Sequence, residues 1–577
     1  MLQEFTLSRG RAIINFTVKY CDNRQKILSS YAFQKVVKHF IEKRLKEDDQ
    51  IIYDYFIKGY KTDEELCSSL IEVIKLLTVC TIEELVVVNN KFAYFFEDKD
   101  NFIELIESLY NFWRKLERVT IVHNNRLGDG LQNVRFIQAN DLLNELILSI
   151  YRKTVETVMG YSHSVYRQTI AGANAGLMLN DIQWNCPIEY QGLSTIPFIG
   201  TAIIHPPYIT YTKKNTRDGI FQETHTNPLS NMMLNEDDWF LYPAKVGNLI
   251  AFVYFHKDFM CHGLGLANLF ELAKGNDYIG KKPDLIYVFG HPNGSQEKKT
   301  CYYRDKQNDI LIGYANYCDE IDYFGYMKKM LLTLHNLKQI ERGNLPIHGA
   351  MVNIALKNGK TANIVIMGDS GAGKSESLEA FRTLNEKYIR HMRIIFDDMG
   401  YFQFEEDGSI KAYGTEIGAF VRTDDLDPTY AFDQLDRGIY SNPDRINARV
   451  TIPVSTYEII SKGYKVDYML YANNYAEAAT KIHLIEDLNA AIDIFEAGAR
   501  KAKGTTTEKG LVKSYFANPF GPVQEREVTE GLVRAYFKGL ENEKVKIGEI
   551  HTSLAIEGKS KNGPREAAEE LFTMINE

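Results

Sequence analysis

Long hydrophobic runs, basic blocks and paired cysteines are all missing from this 577-residue sequence. No apolar stretch is long enough to span a bilayer as a helix, and the start, Met1-Leu2-Gln3-Glu4-Phe5-Thr6-Leu7-Ser8-Arg9-Gly10, lacks the apolar centre of a signal peptide. Neither a membrane partner nor secretion is expected. The net charge of −9 is spread along the chain without a lysine and arginine cluster, which argues against a nucleic-acid partner. Any anionic substrate must therefore meet a locally positive site. Seven cysteines (Cys21, Cys67, Cys80, Cys186, Cys261, Cys301, Cys318), odd in number and without a C-x-x-C pair, suggest neither a disulfide framework nor a zinc pattern. Reduced thiols in a cytoplasmic protein are the expectation. Internal repeats and low-complexity segments are also absent.

The composition, 45% hydrophobic and 25% charged, is globular, and the length predicts two or three domains. From about residue 30 to 158 apolar residues recur at helical spacing: Phe33, Val36, Val37, Phe40, Ile41 and Leu45 share a face, as do Phe102, Leu105, Ile106, Leu109, Trp113 and Leu116. Thr62-Asp63-Glu64-Glu65 and Thr81-Ile82-Glu83-Glu84 read as capping boxes. A helical N-terminal region over 1–160 follows, with a polar loop at 123–130 and no evident chemistry. Over 161–330 short apolar runs broken by glycine, proline and asparagine predict a second, α/β domain on the substrate side. Within it, Lys213-Lys214-Asn215-Thr216-Arg217-Asp218-Gly219 reads as a solvated loop tip, and His256, Cys261 and His262 are candidate ligands at a spacing that matches no metal pattern.

The third segment, 331–577, carries the densest signals. Gly368-Asp369-Ser370-Gly371-Ala372-Gly373-Lys374-Ser375 fits G-x-x-x-x-G-K-[ST], with the apolar run Asn363-Ile364-Val365-Ile366-Met367 before it and a helical pattern after it. Such a loop turns backbone N–H groups toward phosphate oxygens, Lys374 adds a mobile charge, and the Ser375 hydroxyl can hold a divalent cation. Downstream, Ile394-Ile395-Phe396-Asp397-Asp398 is an apolar strand ending in two acids, the arrangement that sets carboxylates beside that cation. Asn358-Gly359 predicts a hairpin feeding the strand before the loop, Asp407-Gly408 predicts another, and a terminal helix is expected from Gly563-Pro564 to Ile575.

These residues resemble the phosphoenolpyruvate carboxykinases, nearer to the ATP-dependent class than to the GTP-dependent one. Tyr323-Phe324-Gly325-Tyr326-Met327-Lys328-Lys329 looks like the family's Y-x-G-E-M-K-K, and His348 follows at the distance of the family's metal-binding histidine. Asp397-Asp398 match its paired acids, Glu416-Ile417-Gly418-Ala419-Phe420-Val421-Arg422 resembles E-G-G-C-Y-A-K, and Asn447-Ala448-Arg449-Val450-Thr451-Ile452-Pro453 resembles N-T-R-V-S-Y-P. The resemblance is close over 323–455, loose to about 545, and does not reach the first 160 residues. It implies a mixed-sheet carboxykinase-like P-loop domain, ATP as donor with Mn²⁺ and Mg²⁺ as cofactors, and a small dicarboxylate substrate. Residue by residue it implies that Lys329, His348 and Asp398 bind Mn²⁺, with Asp397 near the nucleotide's metal. Lys328 would face substrate, while Lys374, Arg422 and Arg449 neutralise the transferred phosphoryl group.

Departures bear on the substrate more than on phosphoryl transfer. There is no G-R-S-P segment, which carries the ATP class's arginine for the substrate carboxylate; Arg167 is the substitute considered. Tyr326 stands where the family has glutamate, and the loop G-D-S-G-A-G-K-S-E-S is similar to that of the related HPr serine kinases. The leading expectation is a carboxykinase acting on oxaloacetate. A superfamily kinase acting on a protein serine or a small hydroxyl compound is the first alternative, and a non-enzymatic nucleotide-binding regulator the second.

Overall fold

The computed structural model describes residues 3–47, 49–57, 62–124, 131–162, 164–165, 169–292, 299–369, 371–384, 388–423, 435–502, 510–556, 558 and 562–577. The protein is a mixed α/β fold with large mixed sheets, gathered into two compact units: residues 1–181 with 197–205, and residues 182–196 with 206–577.

In the first unit the expected helices form, among them Tyr31–Lys46, Asp63–Leu77, Lys99–Lys115 and Leu131–Met159, and their apolar faces make one core through Val37, Phe40, Leu70 and Phe102. Thr62 accepts from Glu65 N, and Thr81 and Glu84 complete a reciprocal capping box. The region is not helical throughout. Strand Glu117–His123 lies parallel between Arg11–Asn15 and Ala175–Asn180, with Phe5–Ser8 and Phe198–Ile204 antiparallel outside them. All seven of its residues are buried, so it shows no alternation of polar and apolar positions to read. Its polar residues are matched individually: Glu117 pairs with Arg11 at 2.9 Å, and Thr120 donates to Asn140 at 2.6 Å.

The second unit holds two extended sheets. One runs through Trp239–Val246, Leu249–His256, Leu285–His291, Ile310–Asn316 and Thr300–Asp305. The other is eight-stranded, ordered Ile410–Gly414, Met399–Phe404, Leu345–Leu356, Thr361–Met367, Tyr468–Asn473, Lys546–His551 and Ile482–Leu484, with Ile389–Phe396 also on Leu345–Leu356. Both predicted hairpins and the terminal helix Gly563–Asn576 are present. Helix Phe324–Glu341 packs on strands of both sheets, and Lys328, Lys338 and His335 are buried along with its leucines. A helix buried over most of its surface has little solvated face, so its buried charged residues must be met by partners inside the protein. No helix among the described residues is long and apolar enough to cross a membrane.

Candidate active site

The glycine loop leaves strand Thr361–Met367 and enters helix Lys374–Thr383. Gly371 and Gly373 have φ of +81° and +113°, a backbone region that side chains disfavour, and a Cβ on Gly373 would lie 2.6 Å from Thr552 Cγ2. Thr552 Oγ1 donates to Ala372 O at 2.9 Å and Asn474 Nδ2 donates to Gly371 O at 3.1 Å, so two distant strand ends brace the loop. Lys374 is buried and its Nζ donates to Gly368 O at 2.6 Å across the loop. Burial pulls its pKa down, while Asp398, Asp369 and Asp397 oppose the shift, so the loop lysine and the paired acids share one environment. Ser370 and the side chain of Ser375 lie outside the described residues.

Beside the loop, two chain segments converge on Asp398. Lys328 Nζ donates to Asp398 Oδ2 at 2.8 Å and Lys329 Nζ to the same oxygen at 3.0 Å, while His348 Nε2 lies 2.8 Å from Oδ1. Asp398 has φ of +97°, strained for a non-glycine residue, and Gly349 N donates to its carbonyl at 3.0 Å, fixing that conformation. The other histidine nitrogen, Nδ1, is 2.8 Å from Ala517 O. A carbonyl only accepts, so Nδ1 carries a proton, and the contact of Nε2 with the carboxylate takes either the second proton of an imidazolium or a cation between the two. Burial lowers the His348 pKa, with Lys374 adding to the effect, whereas the lysines and His348 hold Asp398 well below the carboxylate range against burial.

The two adjacent lysines are shifted in opposite directions. Lys328 is also 2.9 Å from Glu416 Oε2, and its two carboxylates hold its pKa up against burial. Lys329 is lowered to about 8, chiefly by burial, with Lys328 contributing. Glu416, enclosed beside them, is raised to about 7 by burial. With a lysine of lowered pKa, an imidazole and a carboxylate together, the donor set suits a first-row divalent ion.

Compared with known proteins, the chain matches no family model and no curated protein.

Of the residues singled out from sequence, Lys328, Lys329, His348, Asp398, Asp369 and Lys374 meet in this cluster. Asp397 is buried beside it. Arg422 and Arg449 stand opposite each other in register on antiparallel strands Gly418–Arg422 and Arg449–Pro453. Like charges so placed repel unless an anion joins them. Arg449 Nε is buried and finds no hydrogen-bond partner among the described residues. Arg167 lies outside the described residues.

Several contributors escaped sequence reasoning. Arg217 is not a solvated loop charge: its guanidinium lies over the rings of Phe221 at 4.8 Å and Phe520 at 5.5 Å, and burial lowers its pKa. Phe520 also takes Lys329 Nζ at 4.6 Å from its centroid. Arg217 therefore belongs to the lysine and histidine site, whereas neighbouring Lys213 and Lys214 are exposed as expected. Its loop is anchored from several sides. Tyr326 Oη accepts from Asp218 N at 3.3 Å, Asp322 Oδ2 accepts from Lys213 N at 3.0 Å, and Asn442 Nδ2 donates to Thr212 Oγ1 at 2.9 Å. Tyr326 thus helps to hold the arginine loop. Arg500 pairs with Asp369 at 3.0 Å and brings a further cation to the phosphate loop.

The Cys261, His262 and Asp322 side chains do cluster. Cys261 Sγ lies 3.7 Å from His262 Nδ1, and Asp322 Oδ1 lies 2.9 Å from Nε2. Partners on opposite ring nitrogens make a hydrogen-bonded chain behind the Arg217 loop rather than a chelate. His256 is turned elsewhere, accepting from Asp258 N at 3.2 Å.

Proposed function

We propose that this chain is a phosphoenolpyruvate carboxykinase-like enzyme of the cytoplasm, with the mixed-sheet architecture of that family. It decarboxylates oxaloacetate and phosphorylates the resulting enolate with a nucleotide. The observation that carries this reading is the convergence of Lys328, Lys329 and His348 on Asp398, next to a phosphate loop whose Lys374 feels the same acids. A second cationic pocket beside a phosphoryl donor suits a small dianion, whereas a serine acceptor is neutral and has little use for it.

In this reading Arg217 takes the substrate carboxylate, the role for which the sequence suggested Arg167. Its guanidinium is positioned by two rings before substrate arrives, which limits the ordering cost of binding. The bond from substrate to its departing carboxylate breaks, the electron pair stays as the enolate, and CO₂ leaves. The enolate oxygen then attacks the γ-phosphorus, and the bond to the β-phosphate oxygen breaks to release the nucleoside diphosphate. Charged Lys328 stabilises the enolate oxyanion. Lys374, Arg422 and Arg449 offset charge on the phosphoryl group in transit. Lys329, His348 and Asp398 would hold Mn²⁺, and Ser375 with Asp397 the Mg²⁺ of the nucleotide. A divalent cation so held supplies Lewis-acid stabilisation of a developing oxyanion.

The test is a coupled assay for phosphoenolpyruvate formed from oxaloacetate with ATP, GTP or pyrophosphate, and for the reverse reaction with bicarbonate. Formation with ATP is expected. The kinase-like wording of the phosphate loop favours a second reading, phosphorylation of a protein serine or a small hydroxyl compound. Absence of phosphoenolpyruvate with every donor would leave that reading in its place.

A further inference from the structure

The two rings against which Arg217 lies belong to segments far apart in the chain. Phe221 sits in a loop and Phe520 in a turn, so neither is fixed by a helix or a strand of its own. Such segments open easily unless other parts of the protein fasten them. The Phe221 loop is laid along strand Thr300–Asp305, with Tyr302 N donating to Gln222 O at 3.0 Å and Thr224 N to Tyr302 O at 2.8 Å.

From the same strand one guanidinium reaches both segments. Arg304 Nε is 3.2 Å from Glu223 Oε1, while Nη2 donates to Glu525 and Nη1 to Glu341. Glu223 follows closely on Phe221 and Glu525 on Phe520, and Glu341 ends the helix that carries Lys328 and Lys329 near its start. The Arg304 side chain is only 14% exposed, so these pairs are screened less than ion pairs on an open surface. Without it the three carboxylates would repel one another, and Lys338, 3.5 Å from Glu341, answers only that one. A further link between the ring segments is neutral and long: Gln524 Nε2 donates to Phe221 O at 3.4 Å and to Pro519 O at 3.3 Å. A guanidinium can meet three acids through three separate nitrogens, whereas an ammonium has a single one.

We propose that Arg304 is a positioning residue of the candidate active site: by joining Glu223 to Glu525 it fixes the Phe221 and Phe520 rings against which Arg217 presents its guanidinium. The inference rests on the carboxylate role given to Arg217 above.

The test uses the full chain and Arg304→Lys, which keeps the charge but cannot meet three carboxylates from three nitrogens. Amide hydrogen exchange, followed by mass spectrometry, should quicken at least about tenfold in segments 219–224 and 518–525, with strand Tyr468–Asn473 unchanged. Oxalate, used as a stable dianion, should bind about tenfold more weakly by calorimetry, the lower end of what partners that orient a binding group are worth at metal sites. ADP affinity should stay within about twofold of the parent, and adding Arg304→Lys to Arg217→Lys should weaken oxalate no more than about twofold further, because both act through one guanidinium. Unchanged exchange in either segment, parental oxalate affinity or a full tenfold further loss in the double variant overturns the inference. An equal loss for oxalate and ADP overturns it too, since that marks a fold merely destabilised. If the parent itself does not bind oxalate, the carboxylate role of Arg217 falls, and the exchange measurement alone decides whether Arg304 holds the rings. Glu525→Gln, which releases only the Phe520 segment, should quicken exchange over 518–525, and unchanged exchange there overturns the inference even where Arg304→Lys does not fold.

Discussion

Asp398→Asn removes a charge from the point on which the site converges. The carboxylate lies 2.8 Å from Lys328 Nζ, 3.0 Å from Lys329 Nζ and 2.8 Å from His348 Nε2. Asparagine keeps the shape and tolerates positive φ, so the change is electrostatic rather than steric. Removing one partner of a buried ion pair costs about 3–5 kcal/mol, because the surviving charge is left uncompensated. Two features place this site at or below the lower end of that range. Lys328 keeps Glu416 at 2.9 Å, and the Asp398 side chain is 24% exposed, so water screens part of the loss. A loss of about 2–3 kcal/mol is expected, which in a large unit corresponds to a fall in Tm of about 5 °C by calorimetry. Mn²⁺ affinity, followed by paramagnetic relaxation of water protons, should fall by at least about 100-fold, since even supporting partners of ligands are worth about 10–100-fold. Glu416→Gln serves as the comparison. It also deprives Lys328 of a carboxylate, so it should lower Tm similarly while leaving Mn²⁺ affinity within about threefold, as Glu416 touches neither His348 nor Lys329 through a donor atom. Unchanged Tm and unchanged Mn²⁺ affinity in Asp398→Asn would refute the central place given to this carboxylate.

Three further outcomes follow from the same contacts. Lys374→Ala should leave a folded protein whose turnover is about 10²–10³-fold lower in steady-state assays, the usual scale for losing one transition-state charge contact, and near-normal turnover would remove the phosphate loop from the chemistry. His348→Ala should abolish Mn²⁺ dependence and weaken Mn²⁺ binding measured by titration, and binding as tight as in the parent would make His348 a core residue held between Ala517 O and Asp398. Arg217→Lys keeps the charge but loses the planar fork and the stacking on Phe221 and Phe520, so KM for the dicarboxylate should rise about tenfold or more with kcat changed much less. A parental KM would leave the carboxylate without a partner here.

The elements legible in the sequence are those whose cause is local. A strand, a glycine turn and a helix in immediate succession suffice for the phosphate loop, because the φ values of Gly371 and Gly373 depend on having no side chain there. The Thr81 capping box and the two hairpins are local in the same sense. Strand Glu117–His123 is harder to read, since full burial removes the contrast between faces on which periodicity depends.

The chemical character of single residues was decided elsewhere in the chain. Arg217 looks like a solvated charge among polar neighbours, and it becomes part of the site because Phe520, far along the sequence, supplies a ring for it. Lys328 and Lys329 are adjacent and chemically identical in sequence, yet Glu416 keeps one protonated while burial beside that charge brings the other toward neutrality. The sequence by itself determined which groups were available: the glycines, lysines, histidine and paired acids, and the local turns that present them. Only the tertiary structure decided their protonation and their partners, because a pKa depends on desolvation and on charges within a few ångströms, and those neighbours come from segments that meet only on folding.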